Sequence, residues 1–577
     1  MSAIQQLITE HMDIWTAADT GKRSGRGRAS SSAGSVYGVK KLRELILELA
    51  VRGKLVPQDA NDEPASELLK RILAEKAKLV AEGKIKKDKL LAPIAEDENP
   101  FELPHRWEWT RLGEITNFGI TTKLDFISDT TWVLDLEDIE KDTSKLHQKF
   151  RFSERRSLSD KNSFLAGDVL YGKLRPYLNK VIVADEDGVC TTEILPVRCY
   201  GPFSSNYFKY SLKSPYFVNY VNARSYGMKM PRLGTEDGRN VYFPLPPLAE
   251  QHRIVAKVDE LMALCDQLEA QHSNAAEAHE KLVSHLLGTL TQSQSTDDFS
   301  ANWQRIASHF DTLFTTEASI DALKQTLLQL AVMGKLVPQD TNDEPASELL
   351  KRIQAEKTQL VAEGKIKKDK PLVAIADDEK PFELPYGWEW VSVKQIFNVM
   401  SGGSFDVSSE KEFGEYIYLK VADMNLEGNE VTVTTSSRFI NPTNKELNGI
   451  IPSNSIIFPK RGGAIATNKK RLVMTDIFVD LNIMAITVPK LMSLQYVYQW
   501  LNGIDLAELN TGTSVPQINH QDIDPLAFPL PPLSEQHRIV TKVDALMSLC
   551  DQLKTRIQQA SQQQQTIANV LVAQAVV

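Results

Sequence analysis

Apolar residues recur at spacings of three and four along two long stretches of the chain, the pattern of a helix with one buried seam. Each stretch follows a Pro-Pro pair, which a helix tolerates only ahead of it or in its first turn. The spacing predicts two coiled-coil helices of about 40 residues, each about 60 Å long. The predicted seam residues are Ile254, Val258, Leu261, Cys265 and Leu268 in the central stretch and Ile539, Val543, Leu546, Cys550 and Leu553 in the C-terminal stretch.

Shorter patterns predict a mixture of helices and strands elsewhere. Amphipathic helical spacing covers 4–18, 40–55 and 65–82, and Gly83 suits the C-terminal cap of the third helix. Short apolar runs between turn residues predict strands at 168–171, 180–184, 416–421 and 454–458.

Two blocks of this pattern occur twice. Residues 243–268 return as 528–553 with 22 of 26 positions identical, and 53–89 return as 334–370 with 33 of 37 identical. The segments between these blocks are similar in length but not in sequence. We therefore predict a duplicated helical frame that carries two divergent cassettes, so that joining the chain ends would give a ring of two nearly equal halves.

The fold class is mixed α/β, with two α/β domains joined by long antiparallel coiled-coil helices in a pseudo-twofold cyclic arrangement. A Gly/Ser/Arg-rich insert at 21–38 breaks the internal symmetry and is interpreted as a mobile loop, with a DNA-contacting arm as the alternative. The predicted regions are an N-terminal helical region at 1–103, a first cassette at 104–246, a central helical region at 247–384, a second cassette at 385–531 and a C-terminal helix at 532–577.

Composition and charge narrow the function without deciding it. The 577 residues are 42% hydrophobic and 24% charged with a net charge of −9, which argues against a generic nucleic-acid coat but not against local DNA contact. No apolar run approaches a membrane span, and the acidic residues near the N-terminus argue against an export signal. Four cysteines give no disulfide framework, so we expect a cytoplasmic protein.

Motifs of the common enzyme classes are absent. The sequence has no GxxxxGK[ST], HExxH, GxSxG or strand-linked GxGxxG. Asn99-Pro100-Phe101 resembles part of an adenine methyltransferase signature, but Lys380 occupies the position of Asn99 in the repeat, so this interpretation is rejected. The Cys190/Cys199 and His272/His279 pairs lack further ligands at metal-binding spacing, so no metal site is expected.

Both cassettes instead interleave basic residues with aromatic and amide side chains. Arg can read guanine, Gln and Asn can read adenine, and Lys mostly anchors phosphate. The candidate DNA-binding residues are Lys173, Arg175, Tyr177, Lys180, Lys229 and Arg232 in the first cassette and Lys460, Arg461, Lys469, Lys470, Arg471, Gln517 and Asn519 in the second.

Several motifs carry a family resemblance that covers essentially the whole chain. The copies PLPPLAEQHRIV (244–255) and PLPPLSEQHRIV (529–540) are its most specific feature. The RPY segment at 175–177 and the SVPQI segment at 514–518 are similar to segments common in the target-recognition domains of one family. With its two unlike cassettes in a duplicated frame, the chain resembles the specificity subunits of type I restriction–modification systems.

The resemblance implies a noncatalytic reader of double-stranded DNA that serves bacterial defence. Each cassette would be a target-recognition domain for one half of a bipartite, asymmetric site, and the helices would set the spacer and dock two modification subunits. No cofactor is expected in this chain: S-adenosylmethionine for adenine N6 methylation would bind the modification subunits, and ATP and Mg would bind the restriction subunits. The alternatives are a stand-alone bipartite DNA-binding regulator, a duplicated enzyme with an unrecognised site, and a helical scaffold holding two protein-binding modules.

Overall fold

The computed structural model describes residues 3–16, 36–85, 91, 94, 99–123, 126–155, 160–364, 366, 375–376, 380–443, 446–509 and 515–576. The predicted insert at 21–38 lies outside these residues except for its last three positions, where Tyr37 and Gly38 begin a helix. The chain divides into two compact units. Unit 1 comprises Met1–Ala276 and Gln559–Val577, and unit 2 comprises Glu277–Gln558.

Unit 1 begins with helices whose apolar faces are buried in one cluster, as their amphipathic patterns predict. Strands and short helices follow, and then a 44-residue helix that continues into unit 2. The helices are α1 (Ala3–Glu10), α2 (Met12–Trp15), α3 (Tyr37–Val51), α4 (Ala65–Ala81), α5 (Leu112–Ile115), α6 (Ser205–Lys213), α7 (Pro215–Arg224), α8 (Thr235–Arg239) and α9 (Leu248–Thr291). The strands are β1 (Glu108–Arg111), β2 (Trp132–Leu134), β3 (Phe150–Arg151), β4 (Lys161–Phe164), β5 (Val169–Gly172), β6 (Val181–Val183), β7 (Gly188–Thr191), β8 (Ile194–Val197) and β9 (Tyr242–Leu245).

Unit 2 repeats this order with different strands. Its last helix, again of 44 residues, runs on into unit 1. The helices are α10 (Thr296–Ser308), α11 (Phe310–Leu313), α12 (Glu317–Val332), α13 (Ala346–Ala362), α14 (Val393–Ile396), α15 (Leu494–Asn502), α16 (His520–Ile523) and α17 (Leu533–Val576). The strands are β10 (Glu389–Ser392), β11 (Asn398–Ser401), β12 (Tyr416–Leu419), β13 (Phe439–Ile440), β14 (Ser455–Pro459), β15 (Arg471–Val473), β16 (Phe478–Val479), β17 (Ile483–Thr487) and β18 (Ala527–Leu530).

Each cassette is closed by an antiparallel strand pair in the same register. β1 pairs with β9 and β10 pairs with β18, so that Glu108 faces Leu245 in unit 1 and Glu389 faces Leu530 in unit 2. Between these pairs, the first cassette has sheets of order β3-β2-β7-β4 and β6-β5-β8. The second has β11-β17-β14-β15 and β13-β12-β16. The predicted strands are confirmed as β5, β6, β12 and β14, and the mixed α/β class is confirmed with them.

The predicted seam residues lie in three clusters: eight of the ten are buried, and Leu546 and Leu553 are half-buried. In unit 1, the first part of α9 and the last part of α17 share a cluster that contains Ile254, Val258, Leu261, Cys265, Leu268, Ala568, Leu571 and Val572. In unit 2, the last part of α9 and the first part of α17 share a cluster that contains Val283, Leu287, Leu290, Leu546, Cys550 and Leu553. Ile539 and Val543 are buried in the neighbouring core of the second cassette. The first part of one helix thus accompanies the last part of the other, as antiparallel helices require.

The two ends of the chain meet in unit 1. Lys54 Nζ donates to the Val576 carbonyl (2.9 Å), and the Tyr37 hydroxyl donates to Asn569 Oδ1 (2.9 Å). These bonds join α3 and its following turn to the end of α17. The two chain ends therefore lie together in unit 1, as the duplicated sequence predicts.

The Glu and Gln of the first PPLxEQ motif fasten the first cassette to the frame. Buried Glu250 accepts hydrogen bonds from Trp107 Nε1 (2.9 Å) and Gln58 Nε2 (2.7 Å). Gln251 Oε1 accepts a hydrogen bond from the Ser204 N–H (3.0 Å), ahead of α6. Desolvation raises the pKa of Glu250, and the two donated hydrogen bonds partly offset that rise. The most specific motif of the sequence is therefore a structural clamp.

Unit 2 repeats the clamp atom for atom. Glu535 accepts from Trp388 Nε1 (2.9 Å) and Gln339 Nε2 (3.2 Å), and Gln536 Oε1 accepts from the Ser493 N–H (3.0 Å). Burial raises the pKa of Glu535 as it does in unit 1. Two cassettes of unrelated sequence are thus held by identical contacts.

Replacing Trp388 by Phe is expected to lower the free energy of unfolding by about 1–3 kcal/mol, because the buried Glu535 carboxylate loses a donor. The melting temperature measured by calorimetry should fall by several degrees. Trp390→Phe is the matched control, since the Trp390 indole donates to the Phe382 carbonyl (3.3 Å) at a half-buried position. Equal shifts for the two variants would contradict the clamp.

Candidate nucleic-acid interface

Two candidate segments of the first cassette form a single surface. The loop after β5 and the segment after α7 are joined through the backbone, where Arg175 N donates to the Pro231 carbonyl (2.7 Å) and Leu233 N donates to the Lys173 carbonyl (3.1 Å). Leu174 and Arg232 form the β-bridge between them. The structure therefore brings together basic residues that are about 55 positions apart in the sequence.

The second cassette builds the same junction from different residues. Gly462 N donates to the Pro516 carbonyl (2.8 Å), Ile518 N donates to the Lys460 carbonyl (2.9 Å), and Arg461 bridges to Gln517. The loop after β14 thus corresponds to the loop after β5, and Pro516 corresponds to Pro231. Lys and Pro are kept at two of these positions, whereas the bridging pair changes from Leu174 and Arg232 to Arg461 and Gln517. Two readers of different sequences would require such a change of side chains within one geometry.

In the first cassette, some candidate DNA-binding side chains are held by other protein groups, whereas others are exposed. Arg232 is held by Glu193 through two nitrogens (2.9 and 3.1 Å), and this pairing raises the pKa of Arg232 and lowers that of Glu193. Lys180 Nζ donates to the Leu136 carbonyl (2.7 Å), and desolvation lowers its pKa. Tyr177 and Lys229 are exposed. Arg232 and Lys180 therefore brace the surface that Tyr177 and Lys229 present.

Arg175 sits in an unusual backbone conformation at this junction. Its φ of 51° is left-handed, as is that of Asn179 at the other end of the same short helical turn. The Arg175 Nε is buried and has no hydrogen-bond partner among the described residues. Lys213 Nζ supports this turn from α6 by donating to Ser144 Oγ (2.5 Å) and to the Asn179 carbonyl (3.5 Å). The loop that carries the candidate residues is thus fixed in shape.

In the second cassette, Arg461 and Asn519 are exposed, and Gln517 is half-buried. Gln517 Nε2 donates to Asn519 Oδ1 (2.6 Å). Lys460 Nζ donates to Ser401 Oγ (2.8 Å), and desolvation lowers the pKa of Lys460. The two amides predicted to read adenine therefore lie side by side next to two cations.

The prediction for Lys470 is corrected by the structure. Its side chain is 2% exposed, and Nζ donates to Asn468 Oδ1 (2.6 Å) and the Ile504 carbonyl (2.7 Å). Desolvation lowers the pKa of Lys470 to about 8. A sequence run of three cations suggests a continuous basic surface, but the middle residue points into the cassette. Lys470 supports the fold and is removed from the candidate interface.

The neighbours of Lys470 are also held by protein groups. Arg471 donates to the Lys470 carbonyl (2.8 Å) and the Met424 carbonyl (3.1 Å). Lys469 Nζ donates to Asn425 Oδ1 at the surface. The role of Lys469 and Arg471 in DNA binding stays a prediction.

Replacing Lys470 by Met is expected to lower the free energy of unfolding by about 1–3 kcal/mol, because the hydrogen bonds that buried Lys470 donates to the half-buried Asn468 Oδ1 and Ile504 carbonyl are lost. DNA affinity of the folded protein should not change. Arg461 is exposed, so Arg461→Ala should leave the free energy of unfolding unchanged and weaken DNA binding about tenfold. Thermal unfolding and DNA titration at fixed salt measure the two effects. Weaker DNA binding by a fully folded Lys470→Met variant would contradict the correction.

Exposed apolar residues next to this junction were not among the sequence candidates. Tyr226, Met228 and Met230 lie on the segment that leads into Arg232, and all three are exposed. The sequence feature that could have identified these residues is the run YGMKMPR (226–232), in which two Met residues flank a Lys directly after a Gly. Such a run has no helical or strand periodicity, because it forms neither a helix nor a strand.

Metal and thiol chemistry find no support in the part of the chain that the structure describes. No group of three or more His, Cys, Asp or Glu side chains there could hold a metal ion. Cys190 is buried, and desolvation raises its pKa far above the ordinary value, so its thiol stays protonated. His279 Nε2 lies 3.3 Å from the Thr312 carbonyl, a packing contact within unit 2.

Comparison with known proteins agrees with these features. The family described as "Type I restriction modification DNA specificity domain" matches residues 158–278 and 385–562. The specificity subunits of the Escherichia coli type I restriction enzymes EcoAI and EcoEI are 43% and 41% identical to the chain, each over 99% of both sequences. The HsdS subunit from Thermoanaerobacter tengcongensis, a solved structure, is 19% identical with a TM-score of 0.41 over 83% of this chain and 98% of that one.

The family match falls on both halves of the duplicated frame, and the two relatives are similar over nearly the whole length. The chain belongs to the family of type I restriction–modification specificity subunits.

Proposed function

We propose that each cassette is a target-recognition domain that reads one half of a bipartite, asymmetric double-stranded DNA site. The single observation that carries this is the repeated junction, where Arg461 and Gln517 in one cassette replace Leu174 and Arg232 in the other. The same clamp contacts hold both junctions, so the two cassettes present different exposed side chains from one backbone geometry: Tyr177 and Lys229 in the first, and Arg461 and Asn519 in the second. Such side chains are suited to reading different base edges. Lys229 beside one junction and Lys460 in the other are suited to anchor phosphates.

The long helices would act as the ruler between the half-sites. Each has 44 residues, which corresponds to about 66 Å at 1.5 Å per residue. Half-sites one helical turn apart lie about 34 Å apart on DNA, well within that length. The outer faces of the frame would dock two modification subunits, one for each copy of the repeat.

The chain itself would be noncatalytic. Methyl transfer to adenine N6 would belong to the modification subunits and their S-adenosylmethionine, and cleavage would belong to restriction subunits that use ATP and Mg. We place the complex in the bacterial cytoplasm, consistent with four free cysteines. Among the described residues, no helix combines the length and apolarity that a membrane crossing needs.

The test is to express the full chain with modification subunits of the family and to map methylated adenines in the host genome. We expect methylation in one bipartite asymmetric motif, and none when either component is expressed alone. Arg461→Ala should reduce methylation at that motif. Methyl transfer by the chain alone would favour the duplicated enzyme, and tight specific DNA binding by the chain alone would favour the stand-alone regulator.

A further inference from the structure

The first cassette exposes an apolar tip beside its basic junction. A hairpin turn spans 226–232 and is closed by two backbone hydrogen bonds, from Tyr226 N to the Arg232 carbonyl (3.1 Å) and from Arg232 N to the Tyr226 carbonyl (2.9 Å). At its tip, Met228 is fully exposed (103%), and Met230 is 50% exposed. Exposure of an apolar side chain to water is unfavourable. Two such side chains at one tip therefore indicate an interaction site.

The hairpin is anchored at its base by several contacts. Arg232, which closes it, is also bridged to Leu174 and held by Glu193 through its guanidinium. Gly227 adopts a φ of 101°, a conformation open to Gly, and a Cβ there would come within 3.0 Å of the Met230 carbonyl. The tip is therefore presented in one shape by the fold.

The charge around the tip points to a polyanion. The segment 226–232 contains Lys229 and Arg232 and no carboxylate. The nearby Glu193 is neutralised by Arg232. Lys residues are depleted from the cores of protein interfaces, whereas here Lys229 lies between the two methionines. The positive charge of the tip therefore comes from Lys229, because Arg232 is paired with Glu193. An exposed apolar tip next to a lysine matches the side chains that enter DNA between base pairs, a role that Met can fill.

The second cassette also exposes an apolar residue next to its junction proline, at the position of Met230. Val515 precedes Pro516 as Met230 precedes Pro231, and Val515 is 62% exposed. The prolines occupy equivalent places in the two junctions, because each accepts a backbone hydrogen bond from the basic loop. An exposed aliphatic residue thus occurs at the same position in two cassettes that are otherwise unlike.

We propose that the hairpin at 226–232 is a DNA wedge whose Met228 inserts between adjacent base pairs of the first half-site, while Lys229 contacts a neighbouring phosphate. This inference rests on the proposed function, because it takes duplex DNA as the ligand. Insertion opens one base step and bends the duplex, so sequences with an easily unstacked step at that position are favoured. The wedge thereby adds specificity at a position without a hydrogen bond to a base.

The test uses the full chain assembled with its modification subunits and duplexes that carry 2-aminopurine at successive positions of the first half-site. We expect a rise in fluorescence at one step other than the methylated adenine, which reports unstacking. Met228→Ala should abolish that rise and weaken DNA binding about tenfold to a hundredfold. Met228→Leu should retain both, because it keeps the apolar bulk. Phe413→Ala, which removes another exposed apolar side chain in unit 2, should leave the signal unchanged.

Because Met228 is fully exposed, its substitution leaves the packing of unit 1 intact. A Met228→Ala variant that binds and unstacks DNA as the unsubstituted chain does would overturn the wedge alone. A variant that no longer assembles with the modification subunits would overturn it in favour of protein docking. Failure of the unsubstituted complex to recognise any bipartite motif would instead overturn the proposed function.

Discussion

Replacing residues 104–243 by a copy of residues 385–528 is expected to give a motif whose two halves contain the same bases. Each cassette has its own sheets, and both attach to the frame through the same clamp contacts. The Tyr207 hydroxyl donates to the Pro244 carbonyl (3.0 Å) as the Tyr496 hydroxyl donates to the Pro529 carbonyl (3.0 Å). The transplanted cassette therefore finds its clamp in place. In the predicted pseudo-twofold arrangement, the new motif is an inverted repeat.

The size of this effect follows from the cost of mismatches. Each wrong base pair costs about 1–3 kcal/mol, so several in one half-site should lower methylation of the original motif by more than a hundredfold. Mapping methylated adenines in cells that express the exchanged chain measures the outcome. The reciprocal exchange, with 104–243 in both positions, is the control and should preserve the other half of the motif. A motif that changes in both halves after one exchange would contradict modular reading.

Lengthening both long helices by seven residues, after Ala276 in α9 and after Gln558 in α17, is expected to lengthen the spacer by about three base pairs. Seven residues add about 10 Å of helix, and DNA rises 3.4 Å per base pair. A whole heptad keeps the apolar seam on the same face, so the buried clusters on either side should persist. The bases recognised in each half should not change.

The control for this experiment is a two-residue insertion at the same two places. Two residues rotate the following part of each helix by about 200°, which turns the seam away from its partners. That variant should lose stability without giving a new spacer. An insertion beside Leu290, which is fully buried, should have the same effect. An unchanged spacer in the stable heptad variant would contradict the role of the helices as a ruler.

The sequence alone determined the frame. Heptad spacing predicted the seam of α9 and α17, the Pro-Pro pairs predicted where both helices begin, and the duplicated blocks predicted that the chain ends meet. These features could be found because periodicity and repetition are local properties of a sequence. The strands at β5 and β14 were visible for the same reason.

Only the tertiary structure decided which candidate residues share a surface. Leu174 meets Arg232 and Arg461 meets Gln517 because distant loops converge, and no local pattern encodes that pairing. Burial of Lys470, the ion pair between Arg232 and Glu193, and the exposure of Met228 were equally hidden. A side chain becomes a contact, a brace or part of the core according to the neighbours that the fold brings to it, and those neighbours lie far away in the sequence.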